Sequence, residues 1–94
     1  MTEQELLAKI KAGLGITGTY QDEALQFYID EVENFMRAAG VPQETVESSE
    51  SVGVIMRGVA DLWNYGSGSV KLSEYFIQRV IQLAGQQTVG DVNV

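Results

Sequence analysis

The stretch "WNYGSGSVKLSEYF", residues 63–76, carries the pattern most like a chemical site. Gly66, Ser67, Gly68 and Ser69 form a glycine–serine run just ahead of a helical pattern. Such runs cradle phosphate where glycine lets backbone N–H groups converge on an anion at a helix start. The details exclude that chemistry here. A dinucleotide fingerprint needs G-x-G-x-x-G after a strand. Lys71 stands where the third glycine belongs, and the preceding pattern is helical. A Walker loop ends in Gly-Lys-Ser or Gly-Lys-Thr, whereas Leu72 follows Lys71. Ser67 and Ser69 lack a histidine to activate them, because the chain contains none. Gly66 to Lys71, with Val70, therefore reads as a connection, long and pliable enough to meet a partner.

The acidic residues give no metal site. Asp30, Glu31 and Glu33 lie within a strongly helical pattern, so they form a solvated face. A calcium loop instead alternates its oxygen ligands around an interior glycine and closes on a glutamate. Glu44, Glu47 and Glu50 extend the acidic surface without ligand spacing. The absence of cysteine and histidine removes thiol catalysis, disulfides, the usual zinc sites and the commonest general base. An acyl-carrier role needs an Asp-Ser-Leu tripeptide, which is absent. No catalytic residue, metal or cofactor is expected.

The elements that position these residues are all helical. Leu6, Leu7, Ile10 and Leu14 mark a first helix, and Thr2 with Glu5 makes a capping box at its start. The glycines of "GLGITGT" interrupt it. Leu25, Tyr28, Ile29, Val32, Phe35, Met36 and Ala39 line one face of a second helix from about Asp22 to Ala39. Asp22 and Glu23 suit its positive end and Arg37 its negative end. Gly40 ends it, and Pro42 forbids continuation. "VPQETVESSE" is a polar connection with room for one turn, with Pro42 at a first helical position.

A third helix begins near Ser48 or Ser49, with Val52, Ile55, Met56, Val59, Leu62 and Trp63 on its face. Gly53 and Gly58 lie inside it and each costs about 1 kcal/mol relative to alanine. Close approach of another helix, in this subunit or in a neighbour, would offset that. Ser73 caps a fourth helix whose face is Phe76, Ile77, Val80, Ile81 and Ala84 and whose end is Gly85. Residues 86–94 then read as an extended tail. Val89, Asp91, Val92 and Val94 would add to a partner's sheet edge or lie in its groove; a frayed terminus is the plain alternative. Trp63 fits the core stripe. Tyr65 suits a core anchor and an interface anchor equally.

The fold class is thus all-α, a small bundle of four main helices with a flexible loop before the last. Residues 1–85 form one helical domain. A chain of 94 residues with 45 % apolar and 20 % charged residues is an ordinary single domain. Its net charge of −7, from 13 acids against 6 bases, opposes a grip on nucleic acid. "MTEQELLAKI" lacks the apolar core of a signal peptide, and no apolar run approaches the roughly 18 residues of a membrane span. A soluble, cytoplasmic chain without a membrane partner is expected.

The order of these pieces resembles a known family. A short first helix, a long acidic-faced second one, "IMRGVADLWNYG" and "LSEYFIQRVIQLA" look like the small head–tail connector proteins of tailed bacteriophages. Trp63, Asn64, Tyr65 and Gly66 occupy the place where that family often carries an aromatic pair. The resemblance covers about residues 1–85 and implies a virion protein, not an enzyme. It implies about a dozen copies closing into a head-to-tail ring. That ring lies beneath the portal protein, extends the DNA channel and receives a stopper or tail-completion protein. Genome DNA would pass through without specific binding, and an acidic channel wall would repel its phosphates. On this reading Tyr65 and the 66–71 loop meet a neighbouring subunit or the stopper, and residues 86–94 dock on the portal or a neighbour. The alternative is a small acidic regulatory protein that binds one basic partner through its helix faces.

Overall fold

The structure, a computed structural model, describes residues 1–65 and 73–92, with the side chains of Tyr65 and residues 86–92 left aside. Five helices and one tight turn make up the described chain, and no strand occurs among the described residues. Helix α1 spans Glu3–Leu14. Its capping box forms as expected: the Glu5 N–H donates to Thr2 Oγ1 at 3.1 Å, and the Thr2 N–H donates to Glu5 Oε1 at 3.3 Å. Helix α2 spans Asp22–Ala38.

Both helices end on the same device. Gly15 and Gly40 take positive φ, 72° and 100°, which only glycine adopts without strain. After α1, the Ile16 N–H turns back to the Lys11 carbonyl at 2.9 Å. After α2, the Val41 N–H reaches the Met36 carbonyl and the Gly40 N–H the Arg37 carbonyl, each at 3.0 Å. Val41 and Met36 are both buried, which supplies the apolar contact that accompanies this termination. Lys11 fixes the approach of α1 to α2. Its Nζ lies 2.7 Å from Asp22 Oδ1 and also donates to the Gly18 carbonyl.

The polar connection holds a single turn, α3, Gln43–Val46. Pro42 caps it from outside, with φ −62° and an extended ψ of 151°, and does not enter the first helical position. Among the described residues the one tight turn outside the five helices, Ser49–Ser51, leads into α4, Val52–Tyr65. Ser51 is fully buried, and its hydroxyl donates to the Thr45 carbonyl at 2.6 Å. The Ser48 hydroxyl donates to the same oxygen at 2.8 Å. These bonds hold the two turns together where the backbone ladder is interrupted.

Helix α4 is the central element and packs on α1, α2 and the last helix. The core joins Leu6 and Ile10 of α1, Leu25, Ile29, Val32 and Met36 of α2, and Val54, Ile55 and Val59 of α4. Two glycines let helices meet closely. A Cβ on Gly58 would lie 2.7 Å from Phe76 Cε1 and 2.9 Å from Val32 Cγ2. The close approach foreseen for Gly58 is therefore inside this subunit. Gly13, still helical, is covered by the end of Met56 from α4. Gly53 has open space around it, so its cost is not offset by packing in this subunit.

Helix α5 runs from Glu74 to Val92 and corrects two expectations. Its backbone does not stop at Gly85, and residues 86–92 are helical, not extended. A single interior glycine costs only about 1 kcal/mol, and Gln86 and Gln87 favour helix. Its buried stripe is Phe76, Val80 and Leu83. Ile77 and Ile81, expected on the helix's apolar face, are 37 % and 60 % exposed. Helix α5 packs chiefly on α4, so the stripe that is covered is narrower than the stripe that is apolar. The four main helices and the all-α class agree with the sequence.

Candidate functional site

The feature built with most polar detail is the junction of α4 and α5, on either side of residues 66–72. Ser73 caps α5, accepting the Phe76 N–H on its Oγ at 3.2 Å. The Ser73 N–H in turn donates to Asp61 Oδ2 at 3.0 Å. Asp61 belongs to α4, one turn beyond Arg57, and is 6 % exposed. A carboxylate so buried needs partners. Arg57 supplies the charge, with its Nε 3.7 Å from Asp61 Oδ1 and 3.4 Å from Ser73 Oγ. The same guanidinium stands 5.7 Å from the centre of the Tyr75 ring.

Apolar contacts flank this latch. The Phe76 ring fills the notch over Gly58 and meets Phe35 at 5.6 Å between ring centres. Trp63 stands edge-on to Tyr28 at 6.0 Å, and Tyr28 stands edge-on to Phe27 at the same distance. Trp63 is half-buried against the core, as its place in the stripe requires. The end of α4 and the start of α5 are thereby held at a set distance, and the 66–72 segment spans it.

A second feature is a small cleft between the N-terminus, α2 and the α3 turn, lined by Thr2, Leu6, Glu33, Gln43, Val46 and Glu47 among others. Burial there raises the Glu33 carboxyl above its ordinary value, and Arg37, 3.8 Å away, opposes the rise. Neither feature pairs a nucleophile with a base. Among the described residues no group of three or more acidic, histidine or cysteine side chains is placed to hold a metal ion.

The sequence matches the family described as phage gp6-like head-tail connector protein over residues 4–89, nearly its whole length. The chain belongs to the phage gp6-like head-tail connector family. No curated protein and no solved structure matches it. The connector family is a structural family of phage particles. Membership means assembly with head and tail components of a virion. Among the described residues no helix is long and apolar enough to cross a membrane.

Of the contact residues expected from the connector's sequence, few fall where the structure describes them. Tyr65 is the last residue of α4, and Val89, Asp91 and Val92 lie on the backbone of α5. Gly66, Ser67, Gly68, Ser69, Val70, Lys71 and Val94 lie outside the described residues. The sequence reading passed over Arg57 and Asp61, the two residues that make the latch. Their signal was present as an Arg–Asp pair at i, i+4 beside an apolar stripe. By sequence alone it is indistinguishable from an ordinary surface pair, because the burial of Asp61 depends on the tertiary packing around it.

Proposed function

We propose that this connector forms a closed ring beneath the phage portal, extends the DNA channel and presents a docking surface to the next tail component. The observation that carries this reading is the family match across residues 4–89. Two features support the mechanical part. The bundle is braced at Gly58, Asp61 and Ser73, so it can serve as a rigid block. It also leaves Phe27, Tyr75 and Ile81 57–60 % exposed, and Tyr20 97 % exposed, more apolar surface than such a small bundle needs.

On this reading Tyr65 and residues 66–71 meet the neighbouring subunit or the stopper, and residues 86–94 reach the portal. The protein works by assembly and not by catalysis, and its place is the head–tail interface of the virion. DNA passes the ring without specific contact, since an acidic wall repels phosphate.

The test is binding of the full chain to the purified cognate portal complex, read by negative-stain microscopy. A ring added beneath the portal is the expected result. No binding by the full chain would overturn the reading. Truncation after Gly85 then separates the roles, because the described core residues all lie at or before Leu83. The truncated chain should stay folded and lose the portal.

A further inference from the structure

Two exposed aromatic surfaces of this chain are framed by groups of opposite charge, carboxylates on one and guanidinium groups on the other. On α2, Glu23, Phe27 and Glu31 follow one another at four-residue spacing along one outer row, and all three are exposed. Tyr20, 97 % exposed, shares a shallow hollow with Glu23 and Phe27. At the α4–α5 junction, Tyr75 is 60 % exposed beneath the Arg57 guanidinium, and Arg79 follows one turn later. Arg79 hydrogen-bonds only to Gln82 among the described residues. The wider charge distribution has the same sense. Residues 1–51 hold ten acids against three bases, and residues 52–94 hold three of each, so the whole net charge of −7 lies in the first part.

We propose that the acid-framed Phe27–Tyr20 surface of one copy docks on the arginine-framed Tyr75 surface of the next copy. The occupant is a second copy of this chain because one chain carries both halves of the match. Two α2 surfaces cannot pair with each other, since their carboxylates would face like charge. The two surfaces belong to different elements, and within a ring such a contact runs head-to-tail and repeats from copy to copy. An aromatic centre with a charged rim is the usual make-up of a specific interface. This inference rests on the ring reading and names the faces that would build the ring.

Charge exchange tests it without the portal. Full chains carrying Glu31→Arg or Arg79→Glu are compared with the native chain by sedimentation at low salt and up to millimolar concentration. Circular dichroism checks that each is folded. The native chain should self-associate, and each variant alone should associate about tenfold more weakly, because each sets like charge against like. Mixing the two variants restores opposite charges across the contact and should restore association. The double variant E31R/R79E should also recover it, with the polarity reversed. A native chain that stays monomeric at millimolar concentration, variants that associate like the native chain, or a mixture that does not recover would each overturn the proposed faces. Loss of portal binding with self-association intact would instead count against the connector reading and leave these faces standing.

Discussion

The Asp61 carboxylate, almost fully buried on α4, accepts the backbone N–H of Ser73 at 3.0 Å across the 66–72 segment. Ser73 is also the N-cap of α5, so one residue receives support from α4 and gives support to α5. Asp61→Ala removes a charge-assisted acceptor and leaves the Ser73 N–H and Arg57 without it. The expected loss is about 2 kcal/mol of stability, measured by urea unfolding. Ser73→Ala removes the cap but keeps the N–H bond to Asp61, and should cost about 1 kcal/mol. Equal losses for the two variants would contradict this division of roles.

Gly58 and Gly53 lie in one helix with opposite surroundings. Gly58→Ala drives a methyl into Phe76 and Val32 and should destabilise by about 1–3 kcal/mol. Gly53→Ala meets open space and should stabilise by up to about 1 kcal/mol through helix propensity alone. Thermal unfolding of the two variants side by side decides the matter. A stabilised Gly58→Ala would mean that α5 does not seat on α4 at that point.

Glu33 supplies a pH signature. Burial raises its carboxyl in the folded state, so over the window between its ordinary and raised values the folded chain holds more proton than the unfolded one. Stability from this group therefore falls as pH rises through that window. Glu33→Gln should raise the Tm at neutral pH, and the gain should shrink as pH falls below the ordinary carboxylate range. A gain independent of pH would assign the effect to something other than the charge.

Ile81 and Leu83 are two positions apart on α5 and differ in their surroundings. Leu83 is 2 % exposed, and Leu83→Ala should cost about 2–5 kcal/mol. Ile81 is 60 % exposed, and Ile81→Ser should change stability by no more than about 0.5 kcal/mol. Denaturant midpoints measured with a common slope give both values. A large loss at Ile81 would mean that this side of α5 is covered within the single chain.

Much of the architecture is legible in local pattern. The Thr2–Glu5 box, the glycine stops at Gly15 and Gly40, and the apolar rows of α2 and α4 depend on residues within a few positions of one another. Backbone capping and helical period are local properties, so a sequence displays them directly. The mismatch of the Gly66–Lys71 run to the two phosphate-loop signatures is also a local property, since it turns on which residue follows which. Helix order and the Trp63–Tyr65 cluster carry the resemblance to phage connectors, and both are visible in the sequence.

Tertiary structure decided the rest. Whether Gly58 is a notch, whether Asp61 is a surface acid or a buried acceptor, and whether Ile77 and Ile81 belong inside all depend on where α5 lies. That placement brings together residues 12 to 18 positions apart, such as Asp61 with Ser73 and Gly58 with Phe76. An amphipathic row states that one side of a helix prefers cover. It does not state how wide the cover is, because that width is set by the neighbouring helix and not by the row itself.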